Sequence, residues 1–268
     1  MLINGLSGDL ISIRDRGLLY GDGVFRTLLA RNGIALQRQL HLEKIRNDCV
    51  RLGIVCPAAA LLSDELDGIL AVHPNGIIKL IVTRGQGSRG YAPPHDAQPT
   101  HIWDVSPAPV YPEEWCSNGV RVRVCDIRLS EQPRLASIKH LNRLENVLAA
   151  AECTDSEIAE GLLLDTQGRV IEGTRSNLFL LRDGCLITPK LDRCGVAGVQ
   201  RDRVLAYAQE QGIAVQIRDV MLAEVYLAEA LFLVNSVIGV WPVRALNERS
   251  WSDFSFVSRL AAALEQRG

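Results

Sequence analysis

Lys139 is the residue whose surroundings most invite chemistry. It sits in Ser137–Arg143 (SIKHLNR), after strand-like residues and two or three residues before a predicted helix. Helix N-terminal amides and a dry pocket both disfavour an ammonium. A neutral amine is what Schiff-base chemistry requires. Taken alone, the segment also reads as a solvated lysine in a basic loop with Arg134, His140 and Arg143. A second feature is IEGTRSNLF, residues 171–179, where Glu172 closes one apolar strand and Asn177 opens another. A carboxylate there suits a cationic ring nitrogen; a plain polar hairpin turn would look the same. A third is GVAGVQR, residues 195–201, leading into a helix. Amides at a helix start bind phosphate without side-chain charge, and glycines allow close approach. Many helices that bind nothing begin this way, and neither the P-loop nor the dinucleotide glycine pattern is present. The last is Arg84–Tyr91 (RGQGSRGY), whose two arginines suit a carboxylate substrate or simply a solvated loop.

The elements that must position these residues follow from periodicity and punctuation. Arg26–Arg31 and Ile34–Leu36 flank Asn32-Gly33, a hairpin signal. Leu42, Ile45, Cys49 and Leu52 recur at helical spacing, and Gly53 ends that helix. A second helix is predicted over Leu61–Ala71, then a strand over Gly76–Thr83 buried on both faces apart from Lys79. Residues 84–118 change character: Arg84–Tyr91 reads as loop, and seven of the eleven prolines lie between 93 and 133. The domain boundary is therefore expected there, with a domain over 1–108, a linker over 109–118 and a second domain over 119–268. In the latter, strands are expected at 119–125, 161–164, 170–171, 178–181, 186–188 and 231–235. Helices are expected at 142–152, 200–211 and 251–266. The pattern is α+β, not a regular βαβ alternation.

Bulk composition excludes several classes. The 268 residues are 47% hydrophobic and 22% charged with a net charge of −2, which offers no basic field for nucleic acid. No apolar run reaches the roughly 18 residues a membrane helix needs. The N-terminus shows no secretory pattern. Seven cysteines without a C-x-x-C pair read as reduced cytosolic thiols, with neither disulfides nor a metal site expected.

Together and in order, these segments resemble the fold-type IV pyridoxal-phosphate enzymes. The resemblance runs from Asp15–Phe25 (DRGLLYGDGVF) through His41–Ile45 (HLEKI), the Lys139 segment, Glu172–Phe179 and Gly195–Arg201. It ends at Asn235–Val243 (NSVIGVWPV). It implies a small N-terminal α/β sandwich-like domain, a larger C-terminal pseudo-barrel domain, a homodimer and pyridoxal 5'-phosphate as cofactor. By resemblance Lys139 is the Schiff-base lysine and proton shuttle, and Glu172 pairs with the protonated pyridine nitrogen. Asn177 belongs to the same cofactor-binding set, and the backbone of Val199 and Gln200 with the Ser236 hydroxyl holds the phosphate. One position departs from the family: three residues after His41 an arginine is usual, and this chain has Lys44, with Arg46 two residues on. Lysine supplies charge without a fork of donors, so either side chain is a candidate for the phosphate.

Within the family, the Lys139 segment, Thr83–Tyr91 and the overall length are most similar to the aminodeoxychorismate lyases. The branched-chain aminotransferases carry a different sequence after the lysine, and the transaminases favour a glutamate at the Arg26 position, while the lyases often have threonine at the Thr27 position. The implied substrate is 4-amino-4-deoxychorismate, cleaved to 4-aminobenzoate and pyruvate. Lys139 would remove the proton from the amine-bearing carbon, and Thr27 would aid proton delivery. Arg89 and Tyr91, with Arg26, would hold a substrate carboxylate. An aminotransferase acting on branched-chain or D-amino acids is the second expectation, and a cofactor-free binding protein that kept the fold is the third.

Overall fold

The structure is a computed structural model and describes residues 1–267. It divides into two compact units, one of Met1–Pro109 with Ile138–Asn142, the other of Val110–Ser137 with the chain from Arg143 onward. The Lys139 segment thus belongs to the N-terminal unit although it lies well beyond residue 108.

The first unit contains β1 (Leu2–Ile3), β2 (Leu6–Ser7), α1 (Arg16–Tyr20), β3 (Gly23–Arg31), β4 (Ile34–Ala35), α2 (Arg38–Leu52), α3 (Ala59–Val72), β5 (Gly76–Thr83) and β6 (Thr100–Ser106). Its strands form one antiparallel sheet in the order β2-β1-β6-β5-β3-β4. Asn32 and Gly33 both have positive φ (51° and 78°), the primed turn that matches strand twist. Leu42, Ile45 and Cys49 of α2 and Leu62 and Leu66 of α3 pack on Val24, Leu28, Ile78 and Leu80.

Two expectations are corrected here. β5 is not buried on both faces: Ile78, Leu80 and Val82 are buried, while Ile77, Lys79 and Ile81 are half-buried. The helices cover one face only, which gives the alternation of a one-sided sheet. The stretch from residue 84 to 118, in which no strand is expected, contains β6. Its polar residues masked it, because His101 faces the core and is accommodated by Glu65, which lies 3.0 Å from its Nε2 and also accepts from Trp103 Nε1 at 2.8 Å.

The second unit contains α4 (Glu114–Ser117), β7 (Val120–Leu129), α5 (Leu144–Ala151), β8 (Ile158–Asp165), β9 (Val170–Gly173), β10 (Asn177–Arg182), β11 (Cys185–Pro189), α6 (Val199–Glu210), β12 (Val215–Arg218), α7 (Leu222–Tyr226), β13 (Ala230–Asn235), β14 (Gly239–Leu246), β15 (Arg249–Ser250) and α8 (Ser255–Glu265). The mixed sheet runs β12-β11-β10-β13-β14-β7-β8-β9, with β15 beside β14. β9, at one end of that order, packs next to β10 and β11 near the other, so the sheet curls on itself. Both faces are buried. Leu178, Leu180, Leu231 and Leu233 point to an interior with Trp241, while Phe179 and Phe232 stack beneath α6 and α8 with centroids 5.3 Å apart. The chain is thus α+β with two sheets, as the order of its elements predicts. Among the described residues no helix is long and apolar enough to cross a membrane, and no cluster of metal-ligating side chains occurs.

Candidate active site

Lys139 is not at a helix start. α5 begins at Leu144, and residues 138–142 instead run antiparallel along the first residues of β3. Phe25 N donates to Lys139 O at 2.9 Å and Leu141 N to Gly23 O at 3.0 Å, while Lys139 N donates to Asp48 Oδ2 at 3.3 Å. The peptide groups on both sides of the lysine are thereby held. Its Nζ lies 4.7 Å from the centroid of the Phe25 ring, and Lys79 Nζ lies 4.9 Å from the same ring. Strand alternation puts Phe25 and half-buried Thr27 on one face of β3 and Arg26 on the other.

Arg26 is 2% exposed and forms an ion pair with Asp48 of α2. A substrate carboxylate would have to displace Asp48 to reach it. His41, Lys44 and Asp48 are spaced by three and four residues, so they form one stripe along α2. His41 is 3% exposed, and neither ring nitrogen has a hydrogen-bond partner among the described residues. Burial, and then the charges of Arg26, Lys139 and Lys44, push its pKa down to about 3. Arg46 lies on another face of the helix, is exposed, and its charge acts on the Cys56 thiol instead. His41 and Asp48 were not among the residues expected at the site; their helical spacing from Lys44 was the available signal that they share its stripe.

The second unit builds the Glu172 corner. Glu172 is 4% exposed in β9, and its Oε2 accepts from Val196 N at 2.8 Å and from Asn177 Nδ2 at 3.5 Å. Asn177 Nδ2 also donates to Val196 O at 2.7 Å, and its Oδ1 accepts from Gly198 N at 3.0 Å. One buried side chain thus ties the carboxylate to the loop entering α6. That loop needs glycine at 195, where φ is +82° and a Cβ would stand 2.7 Å from Ile171 Cγ2. Arg143 is half-buried; burial lowers its pKa, opposed by Glu172 and Glu145. α6 opens at Val199 with Gly198 as N-cap, so no side-chain oxygen caps its first amides. Ser236 lies in the turn between β13 and β14, where Asn235 Oδ1 accepts from the amides of Val237 and Ile238 at 2.8 and 2.9 Å.

Ser137, two residues before Lys139, has a left-handed backbone (φ 69°). Three hydrogen bonds hold it there: its N donates to Gly195 O at 2.9 Å, its O accepts from Ala197 N at 3.1 Å, and its hydroxyl donates to Leu191 O. Arg89 and Tyr91 are exposed, Tyr91 at 83%. Their loop is anchored by buried Arg16, whose guanidinium donates to the carbonyls of Gly90, Tyr91 and Ala92 at 3.0, 2.8 and 3.4 Å. Arg16 is in turn paired with Asp22, which Arg84 also grips. Burial works to raise the Asp22 pKa, but the two guanidinium groups outweigh it and hold the carboxyl below its usual range.

A curled mixed sheet with a buried carboxylate tied to an uncapped helix start, in a chain whose lysine segment edges a separate sheet, defines a class. The chain belongs to the amino-transferase class IV family, whose model matches residues 23–246. Particular relatives are near. Aminodeoxychorismate lyase of Vibrio harveyi is 36% identical over 245 residues, covering 91% of this chain and 90% of that one. The crystal structure of 4-amino-4-deoxychorismate lyase from Pseudomonas aeruginosa is 48% identical, with a TM-score of 0.95 over 99% of this chain and 98% of that chain. A putative branched-chain-amino-acid aminotransferase of Methanocaldococcus jannaschii is 31% identical, covering 89% of this chain and 83% of that one.

Proposed function

We propose that this protein is a pyridoxal 5'-phosphate-dependent lyase that converts 4-amino-4-deoxychorismate to 4-aminobenzoate and pyruvate, a step of folate biosynthesis. We further propose that it works as a cytoplasmic homodimer. The observation that carries the reading is similarity to lyases of that name along almost the full length of both chains, at 36% and 48% identity.

The residues present fit the cofactor. Glu172 is a buried carboxylate already fixed by N–H donors, ready for a protonated ring nitrogen. The first amides of α6 suit a phosphate. Lys139 would hold the cofactor covalently. Glu172, positioned by Asn177, would face its ring nitrogen, and the backbone of Val199 and Gln200 with the Ser236 hydroxyl would hold its phosphate. Lys44 is favoured over Arg46 as the charged phosphate contact, because it shares the α2 stripe whose charges act on His41 together with Lys139. When bound, the cofactor supplies an electron sink for the carbon that bears the substrate amine.

The chain's own groups do the rest. Once the substrate's amine has displaced it from the cofactor, Lys139 Nζ would take the proton from that ring carbon. A proton is delivered to the methylene carbon of the enolpyruvyl group, the ring C–O bond breaks, pyruvate departs and the ring becomes aromatic. Thr27, on the β3 face that carries Phe25, hydrogen-bonds Lys139 or the departing group and steers that proton. Arg89 and Tyr91 receive a substrate carboxylate on a loop that Arg16 keeps in place.

The test is a product assay. Pyruvate release from 4-amino-4-deoxychorismate, abolished in Lys139→Ala, is the expected result. Amino transfer from alanine or branched-chain donors without pyruvate release would move the protein to the aminotransferases. An unchanged rate in Thr27→Ala, or an unchanged KM in Arg89→Ala, would remove those residues from their roles.

A further inference from the structure

His41 has no part in the steps above, and its surroundings are costly. Burying a polar atom without a partner costs about 1–3 kcal/mol, and both nitrogens of this imidazole are buried in that condition. An apolar side chain at this helix position would join the adjoining core, formed by Leu42 and Ile45, without that cost. The charged groups that act on it are Arg26 on β3, Lys44 on α2 and Lys139 on the segment beside β3. All three are cationic; Arg26 is offset by its ion pair with Asp48, which leaves Lys44 and Lys139. The local field therefore favours an anion. A neutral imidazole, the form that burial enforces here, offers one N–H donor. Lys44 brings a point charge without the directional donors of an arginine fork.

We propose that His41 is a phosphate ligand of the bound cofactor, its ring N–H donating to a phosphate oxygen alongside the Lys44 ammonium. This rests on the reading of the chain as a pyridoxal-phosphate enzyme. On it, the directional contact that lysine lacks at position 44 is supplied one helical turn earlier by an uncharged ring.

The experiment titrates apo-protein with pyridoxal 5'-phosphate and, separately, with pyridoxal, which lacks the phosphate. Binding is read from visible absorbance, and apo-protein stability from its thermal melt. In His41→Leu the dissociation constant for pyridoxal 5'-phosphate is expected to rise about ten-fold or more, the scale of one hydrogen bond to a charged group. That for pyridoxal should stay within about two-fold. Equal weakening of both ligands would mean that His41 only supports the fold around Lys139, and would overturn the proposal. Unchanged binding of both would overturn it too. A second measurement needs no variant: in wild-type protein labelled with 15N-histidine, pyridoxal 5'-phosphate should shift the His41 ring nitrogens and pyridoxal should not. Equal shifts from both ligands would sink the idea. If wild-type protein binds neither ligand, the failure lies with the proposed function itself.

Discussion

The Arg26–Asp48 pair gives the sharpest quantitative expectation. Both side chains are nearly inaccessible, at 3% and 8% exposure. Asp48→Ala takes the carboxylate away from a buried guanidinium, and breaking such a pair on one side costs about 3–5 kcal/mol. Against a total stability of roughly 5–15 kcal/mol for an ordinary domain, the loss should be plain in urea unfolding of the apo-protein followed by far-UV circular dichroism. Replacing both partners with apolar residues of similar volume, Arg26→Met with Asp48→Leu, removes both charges together. That double variant should lie within about 1 kcal/mol of wild type, since such swaps are often neutral or stabilising. Asp48 also accepts from Lys139 N, and the double variant does not restore that contact. It should therefore recover stability while still capturing pyridoxal 5'-phosphate more slowly than wild type. A loss below about 1 kcal/mol in Asp48→Ala would refute the reasoning, because it would mean that solvent screens the pair. A double variant as unstable as the single one would refute it by another route, by showing that shape rather than charge is at stake.

Burial of His41 has a pH signature. Its pKa falls from 6.5 to about 3 on folding, through desolvation first and neighbouring cations second. Below pH 6.5 the unfolded chain binds a proton that the folded chain refuses, so this contribution to stability is complete above 6.5 and declines as pH falls towards 3. Relative to His41→Leu, wild-type stability should drop by up to about 1.4 kcal/mol per pH unit in that window, measured by urea midpoints; parallel pH profiles would contradict the buried neutral ring. Gly195→Ala should cost about 2–4 kcal/mol, since the residue has a left-handed backbone and its new methyl would meet Ile171 and Leu191. A wild-type thermal midpoint in that variant would show that the loop before α6 yields easily.

The sequence made some of these relations legible and hid others for physical reasons. The Asn32-Gly33 turn was readable because positive φ restricts the residues that fit. The stripe of α2 was readable in principle: three or four residues bring side chains to one helical face, whereas the two residues from Lys44 to Arg46 turn the helix by about 200°. Strand alternation likewise separates Arg26 from Thr27, so the two could not both face one ligand. What no local pattern carried was the setting of Lys139. Its segment pairs with β3, more than a hundred residues earlier in the chain, and neither propensity nor periodicity reports a partner at that separation. β6 was lost for a related reason. Its His101 and Asp104 break an apolar pattern, and the compensation for His101 comes from Glu65 on α3.

That long-range pairing bears on how a lysine can serve as a mobile base. A proton shuttle needs an amine that moves over a short range and a main chain that does not. Lys139 N is held by Asp48, Lys139 O by Phe25 N, and Leu141 N by Gly23 O. Ser137 sets the direction in which the chain arrives. Its left-handed backbone costs about 1–2 kcal/mol for a residue with a side chain, and glycine would relieve that strain. Glycine would also abolish the hydroxyl contact to Leu191 and enlarge the freedom of the unfolded chain at this point. A strained serine with all three of its polar groups engaged is stiffer than a relaxed glycine. Motion of the Lys139 amine is then left to its side-chain torsions, beside the Phe25 ring, while the main chain on either side stays fixed.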